Sequence, residues 1–136
     1  MPESPWRRGL NLFNAAHFFE AHEALEDVWR EAPRHTHLRR HLQGIVQLAV
    51  AFHHQATGND TGARSVLERA LRNLDGAEES FPELDLNLLR SSLRAWREHL
   101  ADVRSSAPSS AHQADGPARP ELPQILLRDH PDKPAC

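Results

Sequence analysis

Apolar residues recur along the first hundred positions at the spacing of helices, and no run alternates in the manner of a strand. The first helical segment runs from about Trp6 to Glu31 and stops before Pro33. The second, from about Thr36 to Thr57, is stopped by Gly58 and Asn59. The third begins at that turn and reaches about Asp75. Ala63, Val66, Leu67, Ala70, Leu71 and Leu74 form its i, i+3, i+4, i+7 stripe. Asn59 or Asp60 suits its N-cap, and Gly76 falls where a helix end favours positive φ. The fourth runs from about Asp85 to Val103, with Leu86, Leu89, Leu93, Trp96, Leu100 and Val103 as its buried edge and Pro82 just before it. The pattern predicts an all-α protein: a compact bundle of four main helices over residues 1–104.

After Arg104 the pattern ends. SSAPSSAHQADGPARPELP is rich in Ser, Ala, Pro and Gly, so residues 105–136 read as a flexible tail. Leu122, Ile125, Leu126 and Leu127 interrupt its polarity. That patch is predicted to seek a surface, whether on the bundle, on a partner or on a second copy of the chain.

Polar residues placed within the apolar pattern are the candidates for chemistry. On a wheel of ~100° per residue, Phe18, Leu25 and Trp29 share a sector and Phe19 lies to one side of it. His22 and Glu26 fall between these groups and are predicted to be buried, with Glu23 at the border. The second helix is apolar almost all round and therefore central, yet Gln43, Gln47 and His54 make one polar stripe on it. Gly44 and Ala51 beside that stripe would let another helix approach. A buried carboxylate without partners costs several kcal/mol, so Glu26 must be paired, protonated or metal-bound. The expectation is an internal cluster of His22, Glu23, Glu26, Gln43, Gln47 and His54 between the first two helices.

Composition narrows the function classes. Charged residues are 26%, hydrophobic residues 39%, and the net charge is −3, with no bulk attraction to nucleic acid or an acidic membrane. Arg34, His35, His37, Arg39, Arg40 and His41 make one local positive patch. Cys136 is the single cysteine, so neither a disulfide framework nor a thiolate metal site is available. No apolar run approaches ~20 residues, which predicts a soluble, cytoplasmic chain. No nucleophile elbow and no phosphate-binding glycine loop occurs.

FNAAHFFEAHEALEDVWRE, followed by LQGIVQLAVAFHHQATGNDTGARSVLERALRNL, resembles the bacterial and archaeal domain-of-unknown-function 309 family over about residues 10–75. FPELDLNLL is similar to the start of that family's following helix. The resemblance implies a compact helical bundle and no established activity, and the Ser/Ala/Pro-rich tail lies outside it.

Three readings of the cluster remain open on the sequence. His22, Glu26 and His54 are ligand types for a mononuclear divalent metal, completed by water. No Glu-x-x-His lies on the first two helices, which departs from the di-metal carboxylate arrangement. The same residues also suit a His–Glu–Gln hydrogen-bond network or a small-ligand site. Separately, QATGNDTGARSVLERAL resembles the turn and second helix of a tetratricopeptide-type hairpin. That points to a peptide- or protein-interaction module, with the Leu122–Leu127 patch as a candidate peptide in the chain itself.

Overall fold

The computed structural model describes residues 4–105 and 119–128. Among the described residues five α-helices follow in order: α1 (Pro5–Asn14), α2 (Phe18–Glu31), α3 (His37–Ala56), α4 (Asp60–Asn73) and α5 (Leu86–Ser105), with one 3₁₀ turn at Ala77–Glu79. The only β pairing among the described residues is one antiparallel bridge between Leu84 and Leu127. No helix among them is long and apolar enough to cross a membrane.

Local chemistry sets most boundaries. Ser4 caps α1 by accepting from the Arg7 N–H, with Pro5 in the first turn, where its missing donor costs nothing. Thr36 caps α3 through the Arg39 N–H at 3.2 Å. Gly58 (φ 89°) takes the left-handed turn out of α3, and Asn59 Oδ1 accepts from the Gly62 N–H at 2.9 Å to open α4.

The first predicted helix is in fact two. The chain leaves α1 with the Ala15 N–H on Asn11 O and the His17 N–H on Leu12 O, and Ala16 turns through φ 67°. The reason lies in Phe13 and Phe18. Five residues apart on one continuous helix they would point about 140° from each other. The turn instead brings their rings to 5.2 Å, edge to face, and folds α1 back along α2. FNAAHFF contains no glycine or proline to announce this break.

Helix α3 is central, packed on α2 and α4, while α1 packs on α2 and α5 on α4. Leu42, Ile45, Leu48, Ala49 and Phe52 of α3 are buried. Phe52 meets Phe13, Phe18 and Trp96 at ring separations of 6.3, 5.8 and 5.3 Å, joining four helices in one aromatic centre. Gly44 permits the close approach of α4: a Cβ there would stand 2.9 Å from Leu74 Cγ.

Of the tail, residues 106–118 and 129–136 lie outside the described residues, and with them most of the flexible-linker expectation. Residues 119–128 run back across the bundle as an extended strap, between the end of α1, the 82–85 segment and α5.

Candidate functional site

The six polar residues read from the sequence do not assemble into a buried cluster. His22 and Glu26 are 27% and 32% exposed, with Nε2 and Oε1 3.9 Å apart. Glu26 is neutralised by Arg30 at 3.1 Å, which also holds Asp27. Glu23 is exposed, at a polar depression lined by Arg8, Glu20, Asp27 and Arg30. Gln43 is exposed. Gln47 Oε1 accepts from Asn73 Nδ2 at 2.8 Å, towards α4 rather than α2. His54 sits at the α3–α4 turn, its Nδ1 3.4 Å from Asn59 Nδ2. Among the described residues no group of three His, Cys, Asp or Glu side chains is disposed to hold a metal ion, so His22, Glu26 and His54 do not converge.

The physical reason is the direction of α2. Its buried face is Phe18, Ala21, Ala24 and Leu25, centred on the two alanines that let neighbouring helices come close. Phe19 is 51% exposed and lies against the rings of His22 and His53 at the surface. Counting Phe19 as core rotates the predicted arc onto His22 and Glu26.

The buried histidine is a different one. His41, 1% exposed, follows the same face of α3 as Ile45, Leu48 and Phe52. Its Nδ1 lies 2.6 Å from Ser80 Oγ and its Nε2 3.2 Å from the Asp75 carbonyl. Arg40 extends alongside and donates to the carbonyls of Arg72, Asn73 and Asp75 at the end of α4. Burial, then the Arg40 charge, lowers the His41 pKa, so the ring is held neutral. Nearby, Arg90 forms a two-point pair with Glu78 and donates to Leu74 O at 2.6 Å. That pair brings the Glu78 pKa down to about 2. The network fixes the 3₁₀ turn, and hence the 81–85 segment that follows it. The sequence placed His41 in a surface patch; its i+4, i+7 and i+11 apolar partners were the signal of burial.

The strap provides the second polar constellation, and its key residue was missed by the sequence reading. Asn14, the last residue of α1, grips the backbone of one strap residue at two points. Its Nδ2 donates to the Ile125 carbonyl at 3.0 Å and its Oδ1 accepts from the Ile125 N–H at 2.7 Å. Gln124 Nε2 donates in return to Asn14 O at 3.0 Å. Trp96, fully buried, donates its Nε1–H to Glu121 O at 2.9 Å. On the other edge the Asp85 N–H donates to Leu126 O at 2.8 Å and the Arg128 N–H to Glu83 O at 2.7 Å. Apart from that of the Gln124 side chain, these bonds involve the strap's backbone, which any sequence possesses. Side-chain burial is concentrated at Pro123 and Ile125, two residues apart as an extended segment requires, with Leu122 partly covered. Leu126 and Leu127 are 41% and 63% exposed.

Fold and site together define a small all-helical bundle that seats an extended segment of chain on one face. Residues 6–66 match the model of the family described as Domain of unknown function (DUF309), and this helical part of the chain is similar to that family. The description assigns the family no activity. Over 70 residues the chain is 34% identical to the Bacillus subtilis (strain 168) protein described as "Uncharacterized protein YpuF", covering 52% of this chain and 40% of that protein. Over 81 residues it is 27% identical to an "Uncharacterized protein" of Aquifex aeolicus (strain VF5), covering 60% of this chain and 24% of that one. The chain thus spans less than half the length of either relative. The matched family region ends within α4, so it contains Asn14 but neither Trp96 nor the strap.

Proposed function

We propose that this protein is a peptide-binding interaction module whose groove receives an extended, apolar segment. The observation that carries the reading is the two-point grip of Asn14 on the backbone N–H and C=O of Ile125. A carboxamide offers one donor and one acceptor that meet the C=O and N–H of a single extended residue, which point to the same edge of the segment, so it recognises an extended backbone without regard to side chain. Asp85, Glu83 and Trp96 extend the same recognition along the segment. Recognition by backbone bonds for affinity and alternate side chains for selectivity is the physics of strand addition. The test is direct binding. A fluorescein-labelled peptide of residues 119–128 is titrated into full-length protein carrying Ile125→Asp, which leaves the groove and removes its own occupant. Saturable binding that Asn14→Ala abolishes in the same background supports the module. No binding by a folded Ile125→Asp chain sinks it.

A further inference from the structure

The strap also states what a foreign ligand must look like, and this inference rests on the peptide-binding reading. We infer that the groove selects extended segments with proline and isoleucine two positions apart and a basic residue near each end, and that the strap is a resident competitor for that class. Pro123 and Ile125 are the buried positions, while Gln124 and Leu126 between and beyond them are exposed, Gln124 still reaching Asn14 O through its Nε2. At one end the Arg119 guanidinium lies 5.9 Å from the centroid of the Trp96 ring, within range of its π-face. At the other, Arg128 Nη1 donates to Pro82 O at 3.3 Å. Both arginines remain largely in water, so they select among segments without anchoring them.

Competition follows from the size of the seat. One isoleucine and one proline are buried, together with a few backbone bonds, which is a modest anchorage. Tethering compensates, because a linked ligand acts at an effective concentration on the order of mM. A free segment therefore meets a closed groove and is admitted only as the strap leaves. The exposed Leu126 and Leu127 are available to an incoming partner before the strap has moved.

The labelled peptide of residues 119–128 is measured against full-length wild type and Ile125→Asp, with Ile125→Ala as a second opened form that adds no charge. Both variants are checked by circular dichroism. The expected result is binding to the opened forms that weakens on the order of ten- to hundred-fold in wild type. A peptide with aspartate at the Ile125 position loses binding, and one with glutamate at both arginine positions loses several-fold. Equal affinity for wild type and opened forms overturns the competition while leaving the module standing. Undiminished binding of the charge-reversed peptide overturns the basic-end selectivity. Absence of binding to either folded opened form removes the peptide-binding reading itself.

Discussion

Around Phe52, four aromatic rings from α1, α2, α3 and α5 close on one another, and the surrounding leucines and alanines are sealed from water. Around Ile125, one isoleucine sits in the same core, but most named contacts are hydrogen bonds to the backbone of a segment distant in sequence. The first region is held by area and shape, and it cannot release one member without opening a cavity. The second is held by directional bonds that water can replace at little net cost. The contrast separates what stabilises the bundle from what the bundle is able to exchange.

Core truncation measures the contrast most strongly. Phe52→Ala is expected to cost about 3–5 kcal/mol of global stability in denaturant melts, because its three ring neighbours cannot collapse onto the void. Ile125→Ala removes a comparably buried side chain, yet the strap can undock while the helices stay folded. Its expected global cost is therefore only about 1 kcal/mol, with faster hydrogen exchange confined to the Asp85 and Arg128 amides. Equal costs at the two positions would make the strap part of the cooperative core and erase the distinction.

The next effect lies in the α3–α4 contact. Gly44→Ala places a Cβ 2.9 Å from Leu74 Cγ and 3.2 Å from Asn73 Cβ, and Leu74 is fully buried. Overpacking there is expected to cost about 1–3 kcal/mol, read from the shift in denaturation midpoint. The strap should remain docked in this variant, since its seat lies on α1, α5 and the 82–85 segment.

These two regions also differ in how far the sequence disclosed them. The helices on either side of Gly58-Asn59, the central place of α3 and the burial of Leu86, Leu89, Leu93, Trp96 and Leu100 on α5 followed from periodicity and turn chemistry, both of which are local, while the burial expected of Val103 lies outside what is described. The break at Ala15–His17 did not, because two phenylalanines that must share a core outweigh a helix-compatible sequence. The strap's seat was legible only as an apolar patch in search of a surface. Asn14 reads as an ordinary helix-end residue, and its partner lies 111 residues along the chain. His41 was within reach, since its apolar i+4 and i+7 neighbours were visible, but a run of neighbouring arginines and histidines made it look solvated.

Titration probes the joint between the two regions. His41 faces Arg40 and His37 on its own helix, and Glu79 and the Asp75 carbonyl from the segment beyond α4. Its folded pKa lies below the ordinary 6.5. As pH falls through that window the unfolded chain takes up a proton that the folded chain refuses, so stability declines; above 6.5 the effect vanishes. His41→Gln is expected to flatten this part of the stability–pH curve. Glu78 acts lower. Its folded pKa of about 2 lies below 4.5, so the stability from its pairing with Arg90 is present above 4.5 and fades as pH drops towards 2. Glu78→Gln should remove that second decline and leave the first.

A smaller gain is expected at the turn that presents Asn14. Ala16 holds φ 67°, a left-handed conformation that costs an alanine about 1–2 kcal/mol and a glycine far less. Glycine also loses more chain entropy on folding, which returns part of the difference. Ala16→Gly should therefore stabilise by about 0.5–1 kcal/mol with the peptide grip unchanged. A destabilised variant would show that the turn is set by something other than its backbone angle.

The smallest effect is expected where the sequence drew most attention. His22 and Glu26 are one turn apart on α2, both partly wet, at 3.9 Å, with Arg30 already beside the carboxylate. Exposed pairs of this kind contribute about 0–1 kcal/mol, and removing His22 leaves Glu26 with its stronger partner. His22→Ala is expected to change stability by less than about 0.5 kcal/mol and to leave peptide affinity unaltered. Stability tests packing and peptide affinity tests the groove; neither would detect an ion. The same variant is therefore measured beside wild type for bound Fe, Mn and Zn after purification without chelator. Near-stoichiometric metal in wild type, lost in a folded His22→Ala chain, would mean that α2 reorganises to bring His22 and Glu26 to an ion. The polar flank of α2 would then be the functional face and the strap only its neighbour. Equal, trace metal in both chains leaves the charges of α2 as what their exposure indicates, a solvated flank beside two alanines that pack.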